Sequence, residues 1–466
     1  MANIADTFAT VRLAKLLGPD LAQTLAQDPD ELREALDEFR SEDIAELLED
    51  LPQEEAIALF KAVPADLAAA VLAHMPEDER TRILERLGAE NAAQVIAEMA
   101  PDDQVDAIQE LSSPIAEMIL SHIAETEPEL ADGLRDLASY PGDSAGGLMT
   151  TEYVALSPNT KVWQAIEAVR QYGRQDKAET LYYAYVVAFG GKLVGVVSLK
   201  ELILNDPGVA VEDVMTENVI YVHPSLHQEE VARAFSKYSF QALPVVDEHG
   251  RMLGLVTVDD VMDVVIEEAT EDAQMMGAVN PIEDAYFATG VWTFIVKRAP
   301  WLVVLFVAEL LTATVMSGTE EDLASWHLVI FIPLIMSSGG NSGSQSSSLV
   351  IRALAVGEVS PSDWSKLFFR ELGVGAALGL LLGTLGFIRG YLVHSDDALQ
   401  VATAVSLSVL AVVMMGTLVG SLLPLGIKRV GLDPAVSSTP FIASLVDVLG
   451  LLVYLSIARA IFTSVM

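Results

Sequence analysis

The stretch FIPLIMSSGGNSGSQSSSLVIR, residues 331–352, decides how the rest of the chain is read. Largely apolar residues flank its polar middle, from Trp326 to Phe331 and from Leu349 to Val356. The middle holds Gly339, Gly340, Asn341, Ser342, Gly343, Ser344 and Gln345, followed by three more serines. Hydrocarbon offers no partner for so many polar groups, so the segment must face protein or a watery path. It reads as the wall of a pore.

From Ala299 onward the chain has the composition of a membrane protein. Five spans are expected, at about 299–317, 327–352, 372–393, 399–423 and 440–463. Each is near the length of about 20 apolar residues that crosses a bilayer. Lys297 and Arg298, then Arg352, Lys366 and Arg370, then Lys428 and Arg429 all fall on one side. Glu320, Glu321, Asp322, Asp396 and Asp397 occupy the other. The positive side is cytoplasmic, which puts the N-terminus inside and the C-terminus outside. Arg389 and Arg459 lie near outer ends, where long side chains snorkel.

Inside the fifth span, in TPFIASLVDVLGLLVYL, stands Asp447. An ionised carboxylate there costs several kcal/mol unless it is hydrated, paired or metal-bound. It is either a partner for a polar group on the second span or a cation site on a conduction path. Pro440, Ala443, Ser444 and Gly450 loosen or thin the helix beside it. Glu309, in the first span, is a second cation contact or a protonated hydrogen-bonding group. Asn341, Gln345 and the serines offer neutral oxygens, and the glycines serve close helix packing equally well. Asp433, in GLDPAV, either attracts cations at the cytoplasmic end of the fifth span or caps the helix beginning near Pro434. Oxygen ligands without Cys or His point to a hard ion. Mg²⁺ suits a carboxylate facing a hydrated ion, since it releases water reluctantly; Ca²⁺ and Mn²⁺ stay open on this ground.

The chain has 466 residues and a formal charge of −39, and no cysteine, so there is no disulfide framework or thiolate metal site. The charge is lopsided: 53 acidic against 18 basic residues precede Pro281, a net of −35. Such a surface repels nucleic acid and anionic lipid and attracts cations. MANIADTFATVRLAKLL lacks the apolar core of a signal peptide, so the soluble part is expected in the cytoplasm. Residues 20–140 read as wholly helical, with breakers at Pro52, Pro64, Pro76, Gly88 and Pro101, spaced by 12, 12, 12 and 13 residues. Short amphipathic units of this kind bury a face only by stacking into a superhelix. Acidic pairs at helix starts, such as Glu77-Asp78 and Asp102-Asp103, are accounted for mostly by the helix dipole.

Residues 141–265 hold two similar units, GGLMTTEYVALSPNTKVWQAIEAV with YYAYVVAFGGKLVGVVSLKELI, then VEDVMTENVIYVHPSLHQEEVARAF with ALPVVDEHGRMLGLVTVDDVMDVV. The pairs Met149-Thr150 and Met215-Thr216 mark a repeat of 66 residues. Each unit predicts a short strand, a helix, a strand, a Gly turn, a strand and a closing helix. This arrangement resembles a tandem pair of CBS domains, which associate, often dimerise and in some cases bind adenine nucleotides. ATP at the pair is therefore considered, with Thr257 and Asp260 as the ribose candidates. A long helix, residues 258–285, is expected to follow. Asp260, Asp263, Glu267 and Glu271 share one face, beside Glu268 and Asp272, and no Lys or Arg occurs between Arg251 and Lys297. Solvation or bound cations must offset that repulsion.

Taken together, the chain resembles the MgtE family of magnesium channels. The motifs are PLIMSSGGNSGSQ with IRALAVGEV, DPA at Asp433–Ala435, and P-x6-D-x2-G from Pro440 to Gly450. The resemblance implies a multidomain membrane protein: an all-α superhelical N-terminal domain (1–140), an α/β tandem CBS pair (141–206 and 207–265), a connecting plug helix (266–298) and a five-helix transmembrane domain (299–466). It implies a homodimer with an ion path on the two-fold axis, where Asp447 and the Ala443 backbone hold hydrated Mg²⁺. It implies a cytosolic Mg²⁺ sensor using Asp102, Asp106, Glu229, Asp260, Asp263, Glu268, Glu271 and Asp272. His227 and Ser239 depart from the family pattern, which has aspartates there. The expected function is Mg²⁺ import down its gradient, with no enzyme activity, closed by cytosolic Mg²⁺. The alternatives are a transporter of Mn²⁺ or Co²⁺ on the same scaffold, or a membrane-bound nucleotide sensor.

Overall fold

The computed structural model describes residues 40–49, 53–174, 180–282, 286–287, 289–318, 323–324, 326–393 and 397–463. The expected helical stretch before residue 40, the breaker Pro52 and the acidic loop residues Glu320, Glu321, Asp322 and Asp396 lie outside them. The chain divides into two compact units, residues 1–266 and 267–466.

Among the described residues the first unit holds eight short helices: α1 (Ser41–Glu49), α2 (Gln53–Ala62), α3 (Ala65–Ala73), α4 (Glu77–Leu87), α5 (Ala89–Ala97), α6 (Pro101–Glu110), α7 (Ser113–Thr126) and α8 (Pro128–Leu137). Breaks fall at Pro64, Pro76, Gly88 and Ala100–Pro101, as the spacing predicts. Gly88 takes φ +81°, which a side chain rarely adopts, and so ends one helix and starts the next. Leu48, Phe60, Leu72, Leu84, Ile96, Ile108 and Leu120 recur every 12 residues, and all are buried. Each helix packs on the next but one, α1 on α3 through α6 on α8. Burial thus comes from stacking neighbours, as in a solenoid.

The CBS-like units follow. The first contains β1 (Ala155–Leu156), α9 (Val162–Arg174), β2 (Tyr183–Val187), β3 (Leu193–Ser198) and α10 (Leu199–Leu204). The second contains α11 (Gln228–Tyr238), β4 (Ala242–Val246), β5 (Met252–Thr257) and α12 (Val258–Met276), and its short first strand is a single bridge, Val222 to Val245. β2 pairs antiparallel with β3 and parallel with β1, and β4 pairs antiparallel with β5. The Met-Thr repeat proves to be an exchange. Thr150 bonds reciprocally with Leu255 of the second unit, and Thr216 with Val196 of the first. The glycine before each acceptor, Gly254 or Gly195, leaves room for the incoming Met-Thr pair; a Cβ at Gly254 would overlap the Thr150 carbonyl and crowd Met149, and one at Gly195 would overlap Met215.

α12 is nine residues shorter than expected. Gly277 N–H returns to Ala273 O, Ala278 N–H to Met275 O, and Val279 N–H to Gln274 O. These bonds close the helix in a Schellman motif, with Ala278 at φ +59°. The span 266–298 is therefore not one helix. A turn follows Met276, and the next helix, α13 (Val291–Ser317), runs straight into the first membrane span.

In the second unit α13 is followed by α14 (Ile332–Ala355), α15 (Trp364–Val393), α16 (Ala398–Arg429) and α17 (Thr439–Thr463). Their bounds depart from the expected spans chiefly at α13 and α15, each of which starts eight residues early. Polar residues at these ends are compatible with a helix that continues into the interfacial region. Among the described residues four helices are long and apolar enough to cross a membrane: Val291–Ser317, Pro361–Leu392, Ala398–Arg429 and Thr439–Thr463. α14 falls outside that set because its middle is the serine- and glycine-rich stretch. It is nonetheless a continuous helix, packed against α16 and α17. α15 packs on α16 and α13 on α17.

The glycines decide how closely α14 and α16 meet. Gly339 and Gly343 of α14 face Gly416 and Gly420 of α16, so that a Cβ on either α16 glycine would overlap the facing carbonyl. The same spacing, small residues four apart, brings helix backbones together in lipid.

Candidate functional site

One face of α14 carries Ser337, Asn341 and Gln345, four residues apart and exposed in the single chain. Asn341 Nδ2 donates to Ser337 Oγ at 3.2 Å along the same helix. A groove between α14 and α15 runs past this stripe, with Leu378, Leu381 and Leu382 opposite. The other face is engaged inside the protein: Ser346 Oγ donates to Glu371 Oε2 at 2.8 Å, and Ser344 Oγ to Thr439 O at 3.2 Å.

Asp447 of α17 is half-buried and lies against α14 at Gly340. A Cβ at Gly340 would stand 3.8 Å from Asp447 Oδ1 and 3.6 Å from Ala443 Cβ. The neighbour on the second span is thus a glycine, which has no side chain to pair with the carboxylate. Ala443 precedes Asp447 by one helical turn, so both share a face. On the adjoining side, buried Ser444 donates to Glu309 Oε1 at 3.3 Å. Glu309 is within electrostatic reach of Asp447. Asp433 accepts Ala435 N–H at 2.8 Å and caps the turn Pro434–Val436, while remaining exposed. The capping alternative is met at the short helix that begins at Pro434, just before α17.

A second cluster lies in the first unit. Asp106 of α6 is pushed up to about 7, chiefly by burial, against the favourable pull of Arg80 and with added repulsion from Glu110, Asp103 and Asp260. Asp260 of α12 is pushed up to about 6, mainly by burial, with Thr257 opposing and Asp259 and Asp103 adding to it. Asp103 is raised by burial as well. Of the expected sensor residues, then, the fold brings Asp106 and Asp260 together. It adds Asp103, Glu110 and Arg80. Arg80, 8% exposed, forms a two-bond ion pair with Glu110, whose Nε contact is 2.9 Å. Asp103, Asp106 and Glu110 stand three and four apart on α6, a spacing visible in the sequence that the helix-dipole explanation obscured.

The remaining expected ligands are dispersed. Asp102 is half-buried at the start of α6, and Asp263 and Glu271 are exposed on α12, with Glu268 and Asp272 half-buried. Glu229 already pairs with Arg233 at 2.7 Å. His227 caps α11 by accepting Glu229 N–H, and Ser239 ends that helix at φ 54°. The N-cap position favours a short polar side chain, and the left-handed position favours glycine or asparagine, for backbone reasons alone. Thr257 donates its hydroxyl to Asp260, so the candidate ribose pair is engaged with itself. Among the described residues no three Asp, Glu or His side chains of one chain gather closely enough to hold a bare metal ion. Hydrated Mg²⁺ keeps several waters and asks for only one or two carboxylates, a demand that Asp103, Asp106 and Asp260 fit.

This cluster has a pH signature. An acid whose folded pKa is raised stabilises the fold when protonated, and that contribution is lost as pH rises through the folded value. For Asp106 the window runs from its ordinary 3.8 to about 7. After allowance for solvent screening it is worth about 2 kcal/mol. A polypeptide of residues 1–276 in EDTA is therefore expected to melt about 5 °C higher at pH 5.5 than at pH 8. Asp106→Asn should flatten the dependence. A slope unchanged by that substitution would place its origin elsewhere.

Comparison with known proteins bears on both clusters. Residues 39–143 match the MgtE intracellular N domain, and residues 145–207 and 211–267 the CBS domain. Residues 332–457, which include α14 and Asp447, match the MgtE divalent cation transporter family. The magnesium transporter MgtE of Thermus thermophilus is 42% identical over 340 residues, 73% of this chain and 74% of that protein. The magnesium transporter MgtE of Enterococcus faecalis is 35% identical over 339 residues, 71% of this chain and 72% of that one. The soluble part of a magnesium transporter, known from a crystal structure, superposes with a TM-score of 0.51 at 32% identity, covering 55% of this chain and 99% of that one.

Proposed function

Because the chain belongs to the MgtE family of magnesium transporters, we propose that it conducts Mg²⁺ through a path formed where two copies meet along α14 and α17. The observation that carries this is that α14 presents an exposed polar stripe, Ser337, Asn341 and Gln345, and meets Asp447 at Gly340. A polar stripe cannot face lipid, and a second copy turns two half-walls into a wet seam. Asp447 and the Ala443 backbone then face a hydrated ion, with Asn341 on the wall and Asp433 near the inner mouth. Mg²⁺ enters the cytoplasm down its electrochemical gradient, which contributes about 2.3 kcal/mol per charge per 100 mV. The N-terminus is inside and the C-terminus outside, in a bacterial inner membrane.

Cytosolic Mg²⁺ acts as the closing ligand. The sensor is assigned to residues 1–140 and 141–265, and the ion path to residues 299–466. Asp103, Asp106 and Asp260 repel one another without a cation. Mg²⁺ held among them favours the closed arrangement, with Asp102, Glu229 and Asp263 as the further proposed ligands of the first unit and Glu268, Glu271 and Asp272 as those on the continuation of α12. A ligand that binds one state better shifts the population toward it.

The ion is tested by flux into liposomes containing the purified protein. Mg²⁺ uptake is expected, and saturating Mg²⁺ should suppress entry of Mn²⁺ or Co²⁺. Entry of Mn²⁺ that Mg²⁺ fails to compete would reassign the cargo.

A further inference from the structure

The end of α12 leaves one backbone group unaccounted for by its own cap. The closing motif occupies the carbonyls of Ala273, Gln274 and Met275. The Met276 carbonyl is instead taken by Thr439, whose Oγ1 donates to it at 2.7 Å. Thr439 is the first residue of α17. It stands four and eight residues before Ala443 and Asp447, on the same helical face. Its own carbonyl accepts Ser344 Oγ of α14 at 3.2 Å. One residue therefore joins the end of α12 to both helices of the ion path.

The turn that presents Met276 is firmly held. Gln274 clamps Ile282 with two bonds, accepting its N–H at 2.6 Å and donating to its carbonyl at 3.1 Å. Asn280 N–H donates to Lys297 O at 3.1 Å, and Trp301 Nε1 donates to Asn280 Oδ1 at 2.9 Å. Ala278 is buried in the left-handed conformation, which ordinarily favours glycine. A turn fastened on both sides transmits displacement of α12 instead of absorbing it.

We propose that Thr439 is the positioning residue through which α12 holds the ion path closed, its hydroxyl bonding Met276 in the closed state and releasing it in the open one. This inference rests on the gating reading above. The test uses the full-length protein in membrane patches, with Mg²⁺ varied on the cytosolic face. Thr439→Val keeps the shape and removes the donor; Thr439→Ser restores the donor. The valine variant is expected to need about three- to tenfold more Mg²⁺ for half-closure, the effect of one lost hydrogen bond. Its current at the lowest Mg²⁺ should match wild type, and the serine variant should close as wild type does. Hydrogen exchange at residues 277–279 should rise in the valine variant alone. A valine variant that closes at the wild-type concentration, or whose current falls equally at every concentration, overturns the role of Thr439 alone. Wild-type current indifferent to Mg²⁺ overturns the gating reading and this inference with it.

Discussion

Asp447→Asn is expected to lower Mg²⁺ flux by about a hundredfold while leaving the protein folded. Asparagine has nearly the volume of aspartate, and the neighbour across the helix interface is Gly340, where even a Cβ would stand 3.8 Å from the carboxylate. Packing should survive the exchange. What disappears is one negative charge per chain facing a divalent ion. At about 5 Å and an effective dielectric near 20, that attraction is worth several kcal/mol. A hundredfold loss corresponds to about 2.7 kcal/mol, well within that range. Flux in proteoliposomes, read with a Mg²⁺ dye, measures it. If the asparagine variant retains half of the wild-type rate, Asp447 is not on the path.

The second large effect concerns the seam between α14 and α16. Gly420→Ala should sharply reduce the yield of folded protein, because its Cβ would overlap the Gly343 carbonyl. That contact is backbone, which has no rotamer to give way. The helices must separate along the length of the Gly339/Gly343 and Gly416/Gly420 pairing. Overpacking of this kind costs about 3 kcal/mol, and separation forfeits the close contact that holds helices together in lipid. Gly426 lies on the same helix with nothing within 4 Å of a Cβ, so Gly426→Ala is the matched control. Thermal unfolding in detergent compares the two. Equal melting temperatures would mean that close approach of the backbones contributes little.

These outcomes differ in how far they were legible in residues alone. Asp447 stands out because a carboxylate in an apolar run has few explanations. The acidic face of α6 was partly hidden, since Asp102 and Asp103 also satisfy a helix N-terminus. Arg80 and Glu110 are 30 residues apart, and no local spacing announces their pairing. The Met-Thr repeat signalled two related units, but which sheet each pair joins was invisible, because exchange leaves the period unchanged. α12 ends at Met276 and not at the expected residue 285, because the cap uses Ala278 and not the glycine that usually marks a left-handed terminus.

The residues by themselves determined the order of the parts: stacked helices with a 12-residue period, a doubled α/β unit, an acidic helix, and apolar spans interrupted by one polar helix. Each follows from periodicity, breakers and hydropathy, which are local properties. Only the tertiary structure decided that Gly340 faces Asp447, that Asp106 comes within electrostatic reach of Asp260, and that Met276 ends on Thr439. Those contacts join positions far apart in the chain, and they depend on how helices rotate and approach one another. Close packing sets that rotation, and packing is a property of the whole fold.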